Sequence, residues 1–254
     1  AMEAIQRITK DTKAIDEMKR WLLKQKQTQT WETLIATADA VYALIATGAS
    51  DLLANTGGVE ITLGKEMIRT PVDDAIGYIK KTVIGDVMNI KKVRVDKEGT
   101  GMGWGAVYAQ YLESMDQIGE QGNGLSVSRQ LYKGDEALNE SAPLKVGDKI
   151  TVRLTVKADR DMDFVQIKDD RAACMEPLQA VSGFRWSNGL GYYQATKDAS
   201  TQFFIDQMRK GTYVIEYQVY VNRTGEYQTG IATVQSAYAP EFGGHTGGYR
   251  VMVE

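Results

Sequence analysis

The spacing of apolar residues changes partway along the chain. Up to about residue 48, Ile5, Ile8, Ile15, Met18, Trp21 and Leu22 recur every three or four positions, with Lys, Arg, Glu and Asp between them. That spacing puts the apolar side chains on one stripe of an amphipathic helix. Thr28-Gln29-Thr30 supplies a break and a capping hydroxyl. Leu34, Ala38, Val41, Tyr42 and Ile45 give a second helix its stripe, and Gly48 is expected to end it, because glycine takes the left-handed conformation without steric cost. The pair predicts a helical hairpin.

Beyond Gly57-Gly58 the period falls to two. Val59, Ile61 and Leu63 alternate, Val87 to Val95 is β-branched, and Asp96 to Gly99 reads as a turn. Ile76 to Val83 fits a short helix or a strand equally well. Trp104 to Leu112 carries apolar bulk on both parities and predicts a strand buried on both faces. Ile118 to Gly124 is rich in Gly, Asn and Gln and reads as a linker, after which Leu125 to Tyr132 opens a new series. Ile150 to Val156, Phe164 to Ile167, Gly183 to Trp186, Phe203 to Ile205, Tyr213 to Val221, Ile231 to Tyr238 and Tyr249 to Val253 follow at the spacing of a β-sandwich. The expected fold is mainly β with an N-terminal α-helical hairpin and antiparallel β-sandwich domains. The expected division is a hairpin over 1–52, a β domain over 53–118, a linker over 119–124 and a sandwich over 125–254.

Composition narrows the function classes. The 254 residues are 43% hydrophobic and 25% charged, values of an ordinary globular protein with ample core. A net charge of -3 with interspersed Lys and Arg gives nucleic acid no basic patch to bind. Cys174 is the single cysteine, so no internal disulfide forms. No apolar run approaches the ~18 residues of a spanning helix, and the N-terminus lacks a signal-peptide layout.

Candidate chemistry is sparse. Cys174 has Arg171 as its nearest cation in sequence, and the single histidine, His245, lies in a glycine-rich loop far along the chain. A Cys–His pair would lack its third member and a nucleophile signature, so Cys174 reads as a small buried thiol. One histidine makes no zinc site, and Asp161, Asp163, Asp169 and Asp170 do not match an EF-hand loop. Gly99 to Gly103 lacks the Gly-Lys-Ser/Thr ending of a phosphate loop. Asn139-Glu140-Ser141 and Asn222-Arg223-Thr224 are formal glycosylation sequons of high chance frequency. No catalytic, cofactor or metal residue is expected. Tyr192-Tyr193, after the turn-like Asn188-Gly189-Leu190-Gly191, is the candidate contact hairpin. An ordinary strand would instead turn one ring in and one out.

Three segments in order resemble the C-terminal part of bacterial alpha-2-macroglobulin family proteins. Trp21-Leu22-Leu23-Lys24-Gln25 through Trp31 and Ala36 to Leu44 resembles the last helical hairpin of the thioester-type domain, an α/α toroid. Trp104 to Tyr108 with Gln110-Tyr111 and Met115 to Ile118 resembles the closing strand of the β domain beside that toroid. Gly211 to Tyr217 with Tyr238 to Phe242 and Arg250-Val251 resembles the C-terminal macroglobulin-type sandwich. The resemblance implies a non-catalytic terminal fragment of a broad-range endopeptidase inhibitor that traps proteases in the bacterial periplasm or cell envelope. Its implied partners are the other domains of the parent protein and, through the whole protein, target endopeptidases. It also implies a β domain split by the toroid, so that 53–118 is only part of it. Glu120-Gln121 after Gly119 resembles part of the Cys-Gly-Glu-Gln thioester motif, but Ile118 stands at its cysteine position, so no thioester forms there. The rival expectation is a carbohydrate- or surface-binding sandwich attached to an α/α-toroid enzyme, for which Trp104, Trp186, Tyr192 and Tyr193 would be the exposed aromatic row.

Overall fold

The computed structural model describes residues 1–53, 59–69, 80–85, 90–98, 105–139 and 142–254. By its internal contacts the chain forms two compact units, Ala1–Leu23 with Trp31–Tyr111, and Lys24–Thr30 with Leu112–Glu254.

The helices are α1 (Met2–Ile8), α2 (Thr12–Thr28) and α3 (Leu34–Leu53). The first periodic stretch is therefore two helices, where a single one was expected. Lys10 sits at φ 56°, which breaks the helix, and the Asp11 carboxylate then accepts the Ala14 N–H at 3.0 Å to cap α2. Thr33, not Thr28 or Thr30, caps α3, accepting the Ala36 N–H at 3.0 Å. Gly48 is buried inside α3 and does not end it. The Lys19 ammonium, itself buried, donates to the Thr47 carbonyl at 2.8 Å and ties α2 to α3. Leu34, Ile35, Val41, Tyr42 and Ile45 remain exposed, so most of the expected apolar stripe of α3 is uncovered among the described residues. In the same unit, β1 (Val59–Leu63) pairs antiparallel with both β2 (Glu66–Arg69) and β3 (Val93–Lys97). The β3 strand runs through Asp96 and Lys97, where a turn was expected.

The expected buried strand at 104–112 is corrected. Residues 105–112 carry no regular structure, and Val107, Tyr108, Tyr111 and Leu112 are all exposed. Alternation gives a strand its faces but not its partner, and none of the described strands pairs with this stretch. Trp104, Gly99 to Gly103, Gly57-Gly58, residues 76–79 of the stretch Ile76 to Val83, Val87 to Asn89, Glu140 and Ser141 fall outside the described residues.

The second unit is the sandwich. Its strands are β4 (Gln121–Asn123), β5 (Leu125–Lys133), β6 (Glu136–Ala137), β7 (Lys149–Ala158), β8 (Met162–Asp170), β9 (Met175–Pro177), β10 (Gly183–Ser187), β11 (Leu190–Thr196), β12 (Ser200–Met208), β13 (Gly211–Val221), β14 (Gly225–Gln228), β15 (Ala232–Ser236), β16 (Gly243–His245) and β17 (Arg250–Val253). Hydrogen-bonded neighbours follow the order β10-β11-β12-β8-β15-β16-β4-β5-β7-β13-β9, with β6 beside β5 and β14 beside β17. Among the described residues these strands pair antiparallel with one another, and a single parallel bridge joins Leu144 to Val253 of β17. The stretch read as a linker thus contributes β4, which joins the two layers by pairing with β16 and β5.

The layers close face to face because strict alternation gives each one an apolar side. Ile150, Val152, Leu154, Val156 and Ala158 of β7 point in, as do Val165 and Ile167 of β8 and Ile215, Val219 and Val221 of β13. Phe203 of β12 is wholly buried, its ring 5.6 Å from Tyr192 of β11 and 5.9 Å from Tyr217 of β13 in the facing layer. Removing that ring leaves a cavity between two aromatic neighbours. Phe203→Ala is expected to lower stability by about 3–5 kcal/mol, read from the urea midpoint of the unit's unfolding transition; a loss below about 1 kcal/mol would mean that the layers do not meet there.

Candidate interaction surface

The side chains singled out as possible chemistry are dispersed. Cys174 lies in the turn before β9, fully buried, and burial pushes its thiol up from the ordinary value, away from a reactive thiolate. His245 is in β16, where its Nδ1 lies 3.2 Å from the Thr246 carbonyl. The aspartates also serve separately. Asp161 accepts the Lys210 N–H at 2.7 Å, Asp170 pairs with Lys168 at 2.9 Å, and Asp169 points into the core. Among the described residues no three His, Cys, Asp or Glu side chains converge as a metal site would require. Gln121, from the partial thioester motif, is a residue of β4.

Asp169 belongs to a buried polar cluster that periodicity did not reveal. It occupies an inward position of β8, Arg129 an inward position of β5, and Tyr217 an inward position of β13. The Arg129 guanidinium donates to the Asp169 carboxylate at 2.7 Å, with the two side chains only 5% and 1% exposed. The same guanidinium donates to the Gly230 carbonyl at 2.6 Å and the Asp170 carbonyl at 3.2 Å. The Tyr217 hydroxyl donates to the other Asp169 oxygen at 2.8 Å. Burial works against the Arg129 charge, but Asp169 and the neighbouring tyrosines outweigh it and hold its proton firmly. Burial pushes the Asp169 carboxyl up, against the pull of Arg129 and Tyr217. Arg129 governs the pair, because a guanidinium keeps its proton at any accessible pH. Burial first, and then the Asp169 charge, push Tyr217 well above the ordinary phenol value.

The Tyr192-Tyr193 hairpin is built from β10 and β11. Asn188 and Gly189 form a two-residue loop at φ 50° and 78°, the left-handed pair that a tight hairpin twist demands. The Asn188 amide donates to the Val214 carbonyl at 3.1 Å and pins the tip to β13. Tyr192 turns inward, 6% exposed, against Phe203; Tyr193 turns outward. One ring goes in and one out, as in an ordinary strand. On the outer face Tyr193 pairs across strands with Phe184 on one side and Phe204 on the other. Phe184 meets Tyr193 edge-on at 75°, ring centroids 5.0 Å apart. Trp186 lies over Gly191, where a Cβ would come within 2.8 Å of the indole, so the ring needs that glycine. Phe184 and Trp186 are 79% and 77% exposed. The sequence pointed to this hairpin through the tyrosines, whereas Phe184 carries as much of the exposed surface.

The model of the bacterial alpha-2-macroglobulin MG10 domain matches residues 124–241, so the body of this sandwich is similar to that family's domain. Escherichia coli alpha-2-macroglobulin activated by porcine elastase is similar over 100% of this chain and 23% of its own, at 13% identity and a TM-score of 0.52. The trypsin-activated form of the Escherichia coli protein is similar over 91% of this chain and 16% of its own, at 14% identity and a TM-score of 0.51. At those identities the likeness is one of fold. Circularly permutated Ras protein 2 of Dictyostelium discoideum is 28% identical over 166 residues, which are 63% of this chain and 4% of that protein. The chain thus spans a small part of each of these proteins.

The buried cluster has a measurable cost of disruption. Asp169→Asn leaves the Arg129 charge without its counter-ion and is expected to destabilise by about 3–5 kcal/mol in urea unfolding at neutral pH. Tyr217→Phe removes one hydrogen bond, expected to cost about 1–2 kcal/mol there. Because the folded-state value of Tyr217 is raised, its contribution is complete below about pH 10, where the unfolded phenol titrates, and declines above it. The gap between wild type and Tyr217→Phe should therefore narrow as pH rises past about 10; parallel stability curves would contradict the burial of that hydroxyl.

Proposed function

We propose that this chain is a non-catalytic C-terminal part of a broad-range endopeptidase inhibitor that traps proteases. The observation that carries this reading is the MG10 match over 124–241, which falls on the sandwich. In this reading 1–52 is the end of an α/α toroid, 53–118 is part of the β domain beside it, and 125–254 is the macroglobulin-type sandwich. The exposed apolar side chains of α3, Leu34, Val41 and Ile45 among them, support a role beside further protein, since such patches mark surfaces that others cover. The partners are the parent's other domains and, through the whole protein, endopeptidases; the compartment is the bacterial periplasm or cell envelope. The chain itself contributes packing and no catalysis.

The carbohydrate-binding alternative is not favoured by the hairpin. It needs a flat aromatic row, but Tyr192 is buried and Phe184 stands edge-on to Tyr193. Trap and active-site block differ in which substrates they spare. Mixed with an endopeptidase, the full-length parent is expected to suppress cleavage of a large protein substrate while a small chromogenic peptide is still hydrolysed. Undiminished cleavage of the large substrate would remove the inhibitor reading.

A further inference from the structure

The outer strand of the hairpin is an open sheet edge. Strand β10 ends the sheet order, and among the described residues nothing pairs with its far side. The two-residue loop fixes which backbone groups are free. Ser187 and Leu190 flank the loop and are hydrogen-bonded to each other, so the bonded pairs continue at Arg185/Tyr192 and Gly183/Gln194. Phe184/Tyr193 and Trp186/Gly191 are the alternate, non-bonded pairs. The N–H and C=O of Phe184 and Trp186 therefore point away from β11, along the free edge.

Native edges are usually blunted by Pro, by a bulge or by lysines. In this sandwich β9, the other terminal strand, is three residues long and ends in Pro177. The β10 edge has none of these devices. It carries Phe184 and Trp186 on the outer face and one charge, Arg185, on the opposite face beside Tyr192. The Arg185 guanidinium has a single long contact, 3.4 Å to the Val181 carbonyl.

We propose that β10 is a strand-docking edge that takes an extended peptide segment with an acidic residue between two apolar ones. The segment's backbone would bond the free groups of Phe184 and Trp186. Its two apolar side chains would lie on the outer face against those rings, and its carboxylate would stand opposite Arg185, at a non-bonded position where facing side chains come closest. A second copy of this chain is the poorer occupant. Two β10 strands paired antiparallel about their centres would set Arg185 against Arg185, and like charges directly opposite repel. The inference rests on the hairpin geometry alone and stands or falls separately from the inhibitor reading.

The test uses the full chain and two blocked pentapeptides, acetyl-Thr-Val-Glu-Val-Thr-amide and its lysine-centred counterpart, at millimolar concentration. The glutamate peptide is expected to slow hydrogen exchange at the Phe184 and Trp186 amides by about tenfold. The Arg185 amide, already bonded to β11, should not change. The glutamate peptide should bind about threefold to fivefold tighter than the lysine peptide, and Arg185→Glu should invert that order. Trp186→Pro removes a free N–H without touching the ladder to β11 and should abolish binding, with Trp186→Ala keeping part of it. If Trp186→Pro unfolds the hairpin, the wild-type exchange pattern still decides. Unchanged exchange at both amides under the glutamate peptide overturns the proposal. So does self-association that protects them, which would make a second copy the occupant, or binding of a glycan panel in its place.

Discussion

The sandwich depends on one constraint: a charge placed on an inward position of β5 must find its counter-ion on β8. Arg129 and Asp169 lie on different layers, and neither has water to turn to. Alternation alone would let a strand shift by two residues and keep its apolar face. The ion pair removes that freedom, because a shift of β5 or β8 would leave a buried charge alone, and a one-residue slip would send it to the other face. Tyr217 extends the same constraint to β13, and the Gly230 carbonyl ties in the loop before β15. Phe203, against both Tyr192 and Tyr217, is the apolar counterpart of this lock.

That core settles what the hairpin can do. Tyr192 is committed to the interior and fixes the face of β11, so Tyr193, and with it Phe184 and Trp186, must look outward. The Asn188-Gly189 loop then sets hydrogen-bond parity, and parity decides that Phe184 and Trp186 hold the open backbone groups. A free edge with aromatic side chains is thus a consequence of core packing one strand away. It gives the MG10-like sandwich a defined place for a partner's strand.

Much of this was legible in the sequence. The alternation of Ile150 to Val156 and of Tyr213 to Val221, and the short run Gly183 to Trp186, located β7, β13 and β10 closely, because each is long or sharply bounded by Gly. Periodicity could not supply partners. Trp104 to Leu112 reads as a better strand than Gln121–Asn123, yet the latter is paired and residues 105–112 are not. The break at Lys10 was hidden because a lysine at φ 56° leaves no compositional mark. Asp169 is legible only as one of several turn aspartates, and its pairing with Arg129 is hidden for a related reason. In sequence they are an arginine and an aspartate forty residues apart in polar-looking positions, and only the facing of two layers makes them a pair. Tyr192 and Tyr193 were found as a pair, but their division of labour follows from which parity packs on Phe203.

Residue-resolved hydrogen exchange of the isolated chain, with nothing bound, tests this account most directly. The account predicts the slowest amides in β5, β7, β8 and β13 around Arg129 and Asp169. It predicts alternation along β10, with Arg185 protected and Phe184 and Trp186 exchanging as fast as loop amides. Equal protection at Phe184, Arg185 and Trp186, or fast exchange in β5 and β8, would contradict it.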